Sequence, residues 1–450
     1  MLGLRRSKPV ARTPELSWES PLETIERAVQ ERAKDLALDA GGPGAEEQLL
    51  ALLGEEIERW HTDYRRGHRS FDLVDPDRTA ERALRNLVGY GPLQSLLEDP
   101  DVWEIEVNAP DAIFVRRHHG DSGYHNEVFH DDDHVTRVLT KILDDAGRSH
   151  RKLDPAEGLQ DAQLDTGARL HIVHSDIGRD GHVLVNVRKF TGLRLRSLAE
   201  LVERDMLDQP AAEVLRACVR AGLSVLVAGP PGSGKTTLLS CMCAELDPSL
   251  RVVIAEEVFE TDCGLPNVAH MQTRPARADR PAVDLRRLVS GFLRMAPDVA
   301  IVGEVRDREA LPLMLTLSSG VQGFTTIHAG SARQALSRLR FVAALSDSRE
   351  LTLPALSALV SEAIDLVVHC CRIDGVPQVD EVIAVEDLAV SAESVAFTTT
   401  TLFKRPRRHS RLSWSGNLPV RAARALELAG VDLRGLLCAE GPPTATPGAQ

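Results

Sequence analysis

The sequence predicts an α/β protein whose largest part is a parallel sheet covered by helices. The first observation is a set of four fully apolar runs separated by helical stretches, at Val225–Ala228, Val252–Ala255, Val299–Val302 and Phe324–Ile327. Such continuous runs are typical of parallel strands buried on both faces. The second observation is a glycine-rich loop that directly follows the first run and precedes a helix. The third is a change of pattern, because short alternating strands and amphipathic helices occupy the chain before the first run.

The glycine-rich loop fits the pattern G-x-x-x-x-G-K-[ST], which binds phosphate groups. Glycines let backbone N–H groups approach the phosphates without a Cβ in the way, and the next helix presents its positive N-terminal end. The pattern predicts a nucleoside triphosphate site, with Lys235 contacting the β- and γ-phosphates and Thr236 binding Mg²⁺. We expect Lys235 to face solvent. The predicted binding residues are Gly229, Pro230, Pro231, Gly232, Ser233, Gly234, Lys235, Thr236 and Thr237.

Polar residues follow three of the other predicted strands. Glu304 ends the Val299–Val302 strand and is predicted to hold Mg²⁺ through water or to orient the attacking water. The alternative is an acid that is merely solvated at the edge of the sheet. Glu256, Glu257 and Glu260 follow the Val252–Ala255 strand, where a solvated acidic turn is the alternative. His328 follows the Phe324–Ile327 strand and is a candidate contact of the γ-phosphate, although a histidine there is more often structural.

Composition excludes several classes of protein. The formal charge of −13 argues against a general nucleic-acid binder, whose affinity rests on lysine and arginine. Seven cysteines, an odd number in a chain of 450 residues, favour reduced thiols over a disulfide framework. Cys241 and Cys243 form a C-x-C pair on the helix after the loop, where burial is favoured over metal binding. No apolar run is long enough for a membrane span or a signal peptide, so we expect a cytoplasmic protein.

The patterns divide the chain into five parts. Residues 1–79 are expected to be flexible or helical, with helical periodicity at Leu22–Leu38 and Glu46–Trp60. Residues 80–190 are expected to form a small α/β domain, residues 191–210 a linker, residues 211–438 the domain with the parallel sheet, and residues 439–450 a disordered tail. The predicted elements within these domains are strands at Val102–Asn108, Ile113–Arg116, Leu170–His174 and Val183–Arg188, and helices at His134–Ala146 and Leu285–Met295.

Several motifs together resemble the type II/IV secretion ATPases. Gly229–Thr236, the acidic box Glu256–Glu260, Val302–Arg306 and Thr325–His328 occur in the order found in that family. The segments before them resemble the N-terminal domain of its CpaF/TadA branch, which powers Flp/Tad pili. These segments are Gly89–Leu93, Asp99–Val102, Val107–Asp111, Ala146–Arg148, Asp165–Arg169 and Val187–Phe190. The resemblance covers about residues 80–420.

This resemblance implies a hexameric ring of RecA-like P-loop NTPase domains, each topped by a smaller PAS-like α/β domain. It implies an ATPase that binds ATP with Mg²⁺ between the domains and powers assembly of a Flp/Tad-type pilus or a related secretion system. It also implies docking on inner-membrane platform proteins, hence peripheral association with the inner face of the cell membrane, and no specific nucleic acid. By likeness, Glu260 is the catalytic glutamate, Glu304 the Walker B carboxylate and His328 the His-box residue. Nucleotide-approaching arginines are implied at Arg148, Arg169 and Arg188, and a basic segment at Arg274 and Arg280.

The sequence departs from the family pattern at two places. Glu257 stands where the acidic box usually has aspartate, and Gly320–Gly323 lacks the histidine and acid of the usual Gly-His-Asp/Glu-Gly. These changes leave a second hypothesis open, namely a weakly hydrolysing ATP-binding protein that acts as a regulator or scaffold. A DNA-translocating motor is a third reading, which the acidic charge disfavours.

Overall fold

A computed structural model describes residues 20–38, 44–118, 120–146, 152–189, 195–274, 276, 281–345, 351–390 and 395–438. The chain divides into two compact units, residues 1–191 and 192–450. Arg148, Arg280 and the predicted tail at 439–450 lie outside the described residues. Within the described ranges, no helix is both long and apolar enough to cross a membrane.

Three helices begin the first unit: α1 (Pro21–Asp35), α2 (Ala45–Arg65) and α3 (Pro76–Val88). The helical periodicity predicted for this region is therefore confirmed. Each helix buries one apolar stripe, and a small core forms where these stripes meet, including Ile25, Leu53 and Trp60. Helix α3 begins where its sequence indicates, because Asp75 accepts a hydrogen bond from the Arg78 backbone N–H and Pro76 occupies the first turn.

The rest of the first unit is a six-stranded sheet packed against helices. Its spatial order is β3-β2-β1-β6-β5-β4, and neighbouring strands are antiparallel. The predicted hairpin and the two later strands are confirmed. The strands are β1 (Val102–Ala109), β2 (Ala112–Arg117), β3 (Gly123–Tyr124), β4 (Leu159–Gln163), β5 (Arg169–Val173) and β6 (Leu184–Arg188). The helices are α4 (Gln94–Glu98) and α5 (Asp132–Asp145), with short 3-10 turns at Gly91–Leu93, Pro155–Glu157 and Arg179–Gly181.

The second unit contains a nine-stranded sheet with helices on both faces. Its strands are β7 (Val225–Ala228), β8 (Val252–Glu256), β9 (Val268–Gln272), β10 (Val299–Val302), β11 (Gln322–Ile327), β12 (Leu366–Ile373), β13 (Val376–Val390), β14 (Val395–Lys404) and β15 (Ser413–Trp414). Its helices are α6 (Leu198–Glu203), α7 (Gln209–Arg220), α8 (Lys235–Cys243), α9 (Leu285–Val289), α10 (Ala310–Ser318), α11 (Ala332–Ala344), α12 (Leu353–Ala363), α13 (Arg421–Leu428) and α14 (Leu433–Cys438).

The spatial order of this sheet is β15-β14-β13-β12-β7-β11-β10-β8-β9. Neighbouring strands are parallel in the part of the sheet formed by β12, β7, β11, β10, β8 and β9, as the continuous apolar runs predict. Strands β13, β14 and β15 extend the sheet beyond β12 with antiparallel pairing. Alternate side chains enter two cores, so that Val225 and Val227 lie on one face of β7 while Leu226 and Ala228 lie on the other. The C-terminal ends of β7, β8, β10 and β11 consequently meet at one edge of the sheet.

Two regions differ from the sequence-based expectation. The helix predicted over Leu285–Met295 is wrong in its second half, because α9 ends at Val289 and a 3-10 helix spans Phe292–Met295. The Ser290 hydroxyl donates to the Arg286 carbonyl at 2.7 Å, and Ala296 adopts a left-handed φ of 48°, so the chain tightens before β10. The segment expected to be a linker contains α6, whose Leu198 and Leu201 are buried in a core of the second unit.

Candidate functional site

The glycine-rich loop joins β7 to α8 in a conformation that requires glycine. Gly229, Gly232 and Gly234 have φ angles of 152°, 69° and 84°. A Cβ on Gly229 would lie 2.2 Å from the Cys370 carbonyl oxygen of β12, so the loop packs directly against the neighbouring strand. The loop therefore leaves a cradle of backbone before the N-terminus of α8, which suits an anionic phosphate.

Lys235 opens α8, and its side chain is buried, with 7% of the residue exposed. The expectation of a solvent-facing lysine is therefore wrong. The Lys235 Nζ donates to the Pro230 carbonyl oxygen at 3.0 Å and lies 3.3 Å from His328 Nδ1. The Ser233 hydroxyl donates to the same Pro230 carbonyl, at 2.8 Å. One carbonyl of the loop therefore binds both the Ser233 hydroxyl and the Lys235 ammonium group. A phosphate that contacts Lys235 has to replace these internal contacts.

Thr236 follows Lys235 and faces the acidic box. Its hydroxyl donates to Glu260 Oε2 at 3.4 Å. This contact brings together a hydroxyl and a carboxylate, which are the oxygen ligands that Mg²⁺ prefers. The donor set therefore fits the metal that the P-loop pattern implies. Thr237 occupies the same first turn of α8.

His328 connects the loop to Glu304, because β11 lies between β7 and β10 in the sheet. The His328 Nε2 lies 2.7 Å from Glu304 Oε1, while its Nδ1 lies 3.3 Å from the Gly229 carbonyl oxygen. The histidine predicted as a candidate γ-phosphate contact thus lies between the lysine and the strand-end carboxylate. Two hydrogen bonds fix β11 in register with β10, from Thr325 to Val302 and from Thr326 to Gly303, each at 2.8 Å.

Glu304 is held as an ionised carboxylate. Burial alone would raise its pKa, yet the neighbouring His328 and Arg306 outweigh burial and lower the pKa to about 2. Arg306 donates to Glu304 Oε2 and to Glu257 Oε2, both at 2.9 Å. The simple reading of Glu304 as a solvated strand-end acid does not fit this arrangement. Glu257, which replaces the usual aspartate of the acidic box, is half exposed and pairs with Arg306.

The acidic box contains three carboxylates in different environments. Glu256 is the last residue of β8 and is 3% exposed, and this burial raises its pKa to about 7. Glu257 points to Arg306, and Glu260 points to Thr236. The box is therefore an organised turn whose members have separate contacts, and a simple solvated turn does not describe it.

The arginines implied by resemblance lie in both units. Arg169 begins β5 and Arg188 ends β6, and they are directly paired across these two antiparallel strands. Arg274 lies after β9, in an isolated bridge with Val283, and donates to the Pro281 carbonyl at 3.2 Å. The structure thus places Arg169 and Arg188 together.

Two further contacts of the P-loop were not predicted from sequence. Arg372 of β12 donates from Nη1 to the Gly232 carbonyl oxygen at 2.8 Å. Met206 and Pro377 pack against Gly234, where a Cβ would lie 2.9 Å from Met206 Cε and 3.1 Å from Pro377 Cβ. These residues belong to no local motif, and only the pairing of β12 with β7 brings Arg372 to the loop.

The segment Gly320–Gly323, which departs from the family pattern, lies at the N-terminal end of β11, whereas His328 follows the C-terminal end. Gln322 is the first residue of this strand, and its amide donates to the Val219 and Leu223 carbonyls at 2.8 and 3.1 Å. Five residue steps along a strand separate it from Ile327 by about 17 Å. The substitution at Gln322 therefore removes no group from the edge that carries Lys235, Glu304 and His328.

Comparisons with known proteins find relatives among conjugal transfer and type IV secretion proteins. The TrbB conjugal transfer protein of Rhizobium radiobacter is 34% identical over 197 residues, which cover 43% of this chain and 58% of the relative. The PtlH type IV secretion system protein of Bordetella pertussis is 31% identical over 301 residues, which cover 61% of this chain and 87% of the relative. The solved VirB11 ATPase of the Brucella suis type IV secretion system, in complex with sulphate, is 26% identical, with 65% and 94% of the two chains covered and a TM-score of 0.35.

Residues 86–398 match the family model described as type II/IV secretion system protein. This match begins in α3 and ends within β14, so it includes the P-loop, the acidic box and Glu304. Because it spans well over half of the 450 residues, the chain belongs to the type II/IV secretion system protein family.

Proposed function

We propose that this protein is an ATP-hydrolysing motor of a type II/IV secretion or pilus-assembly system. The observation that carries the proposal is the connected set of side chains at one edge of the parallel sheet. Lys235 contacts His328, His328 contacts Glu304, and Thr236 contacts Glu260. A phosphate-binding loop alone would support binding, whereas the two carboxylates beside it support hydrolysis.

Each member of this set has a separate task. The backbone of the loop and the Lys235 ammonium bind the β- and γ-phosphates. Thr236 and Glu304 would hold Mg²⁺, with the Glu260 carboxylate beside Thr236, and the metal would neutralise charge on the phosphate oxygens. Glu304 suits this task because His328 and Arg306 outweigh the effect of burial on its pKa, so that the buried carboxylate is ionised at neutral pH. Glu260 orients the attacking water and accepts its proton, and His328 couples the phosphate end of the site to Glu304.

We also propose the assembly in which this motor works. The N-terminal motifs resemble the CpaF/TadA branch, so we assign the protein to a Flp/Tad-type pilus that it serves as a hexameric ring. By the same resemblance, we assign Arg148, Arg169 and Arg188 to nucleotide binding, with Arg274 and Arg280 supplying further positive charge. The pairing of Arg169 with Arg188 across β5 and β6 supports a shared role. The ring associates with inner-membrane platform proteins at the cytoplasmic face of the membrane.

The site residues are tested by steady-state ATPase measurements on the full chain. Glu304→Gln and Glu260→Gln are expected to bind ATP and to lower kcat by about 10²-fold or more, because the amide keeps the shape and loses the charge. Glu427→Gln, on the exposed side of α13, is the matched control and should retain the wild-type rate. Full activity of both site variants would exclude the proposed hydrolysis.

The role of the first unit is tested by removing its arginines. Arg169→Ala and Arg188→Ala are expected to lower kcat by about tenfold or more, since a cation stabilises charge that develops in phosphoryl transfer. Arg179→Ala is the control, because Arg179 lies in the same unit with 94% of its side chain exposed. Light scattering with and without ATP measures the ring. A monomer under both conditions, or wild-type rates in both arginine variants, would contradict the assembly proposal.

A regulatory or scaffold role is the second candidate. It rests on the departures at Glu257 and at Gly320–Gly323, yet Glu257 keeps its charge and pairs with Arg306, and Gln322 lies at the opposite end of β11 from His328. The geometry therefore favours the motor. A purified hexamer that binds ATP and hydrolyses none would reverse this preference.

A further inference from the structure

Glu256 has no assigned task in the site, although it is the most deeply buried carboxylate of the acidic box. It ends β8 and is 3% exposed. Burial of a carboxyl group is unfavourable unless its oxygens accept hydrogen bonds. The partners of its two oxygens therefore decide how the protein accommodates this buried group.

The hydrogen-bond partners of the Glu256 carboxylate belong to the turn that carries Glu260. Its Oε1 accepts the Thr261 backbone N–H at 3.0 Å and the Thr261 hydroxyl at 2.7 Å. The Glu260 backbone N–H is shared between the two carboxyl oxygens, at 3.3 Å from each. The side chain therefore closes the turn over residues 257–261 onto the end of β8.

The other side of Glu256 rests on β10. Gly303 leaves room for it, because a Cβ at that position would lie 2.9 Å from both Cγ and Oε1 of Glu256. Gly303 directly precedes Glu304, and its N–H donates to the Ala255 carbonyl at 3.1 Å. Glu256 thus lies between the turn that carries Glu260 and the strand end that carries Glu304.

We propose that Glu256 is a positioning residue that holds Glu260 in place for ATP hydrolysis. Through the Glu260 and Thr261 amides it fixes the backbone from which the Glu260 side chain reaches Thr236. This inference rests on the proposed function, because it assigns Glu256 a role only if Glu260 takes part in hydrolysis. It predicts loss of turnover without loss of nucleotide affinity.

The test uses full-length Glu256→Leu, which removes every acceptor, and Glu256→Gln, which keeps one oxygen for Thr261. Misplacement of a reacting group by about 1 Å costs about 10²-fold in rate. We therefore expect Glu256→Leu to lower kcat by about 10²-fold, and Glu256→Gln to recover most of the rate. The Kd for a fluorescent ATP analogue should change by less than about threefold in both. Thr261→Val, which removes only the 2.7 Å hydroxyl contact, should show a smaller loss of kcat.

A double-mutant cycle separates positioning from general support of the fold. Groups that act through the same catalytic carboxylate give non-additive effects. Adding Glu256→Leu to Glu260→Gln should therefore lower kcat by no more than about threefold beyond Glu260→Gln alone. A further fall of about 10²-fold would assign Glu256 a structural role and overturn the inference. If Glu256→Leu does not fold, the same cycle with Thr261→Val decides.

These measurements distinguish a failure of the positioning role of Glu256 from a failure of the proposed function. Wild-type turnover in Glu256→Leu, with Glu260→Gln slow, would refute the positioning role and leave the proposed function intact. Wild-type turnover in Glu260→Gln would refute the proposed role of Glu260, and the positioning role with it. Loss of ATP affinity in Glu256→Leu equal to its loss of kcat would also contradict the inference.

Discussion

Because Lys235 is buried, we predict that its aliphatic stem contributes to stability and its ammonium group to ATP binding, and that the two contributions can be separated by mutation. Lys235→Ala removes three methylene groups from a side chain that is 7% exposed. At about 0.8 kcal/mol for each buried methylene, the variant should lose about 2 kcal/mol of stability before the loop relaxes. Lys235→Met keeps an apolar stem of similar shape and should lose less than about 1 kcal/mol. Both variants should lose ATP binding, because neither has the cation.

Thermal unfolding without nucleotide and titration with a fluorescent ATP analogue measure the two effects. A loss of about 2 kcal/mol lowers the Tm by about 4–8 °C in a unit of this size. Lys404→Ala provides the surface control, since the Lys404 side chain is 59% exposed and its loss should change stability by less than about 0.5 kcal/mol. Wild-type ATP affinity in Lys235→Met would refute the assignment of the ammonium group to phosphate. An unchanged Tm in Lys235→Ala would refute the burial argument.

Three further predictions concern the same edge of the sheet. Gly229→Ala should lose more than about 2 kcal/mol of stability in thermal unfolding, because its Cβ would meet a carbonyl of β12 in a backbone conformation that favours glycine. Arg372→Ala should weaken ATP-analogue binding by about tenfold by freeing a P-loop carbonyl, with the exposed Arg411→Ala unchanged. Glu304 has a folded pKa of about 2 against an ordinary 4.5, so its ionised form stabilises the protein above about pH 4.5, and this stability is lost as the pH falls toward 2. Wild type should therefore be more stable than Glu304→Gln at pH 6, by about 1–2 kcal/mol after screening, and thermal unfolding should show this difference shrinking as the pH falls toward 2.

The strands that lie deepest could be predicted from sequence because burial on both faces leaves a continuous apolar run. Val225–Ala228 and Val299–Val302 were found this way and have the predicted bounds. The glycine-rich loop between β7 and α8 could be predicted because the spacing of its glycines reflects the backbone conformation that the loop requires. The helix predicted from Leu285 failed in its second half, because apolar spacing does not reveal that the chain tightens after Val289.

Contacts between distant segments could not be predicted in this way. Arg372 reaches the Gly232 carbonyl from 140 residues away, and nothing near either residue in the sequence indicates the pairing. The acidic box gives a second example. Glu256 and Glu257 are adjacent and chemically identical, yet strand alternation sends the first into the protein and the second to Arg306. Glu256 is buried because it is the last residue of β8, and Glu257 lies just beyond the strand. The residue at which β8 ends depends on its pairing with neighbouring strands, which the local sequence does not reveal.

The position of β7 in the sheet has a consequence for synthesis of the chain. Its two neighbours, β11 and β12, both lie later in the sequence, and the Ser224 N–H bonds to an Asp365 carboxyl oxygen 141 residues onward. While the chain is emerging from the ribosome, the P-loop is made early, but its strand has no partner on either side until β11 and then β12 appear. A nascent chain that stops before Leu366 leaves one edge of β7 unpaired and the carbonyl that packs on Gly229 missing. The nascent chain should therefore acquire nucleotide binding late in translation, after β12 has emerged from the ribosomal exit tunnel.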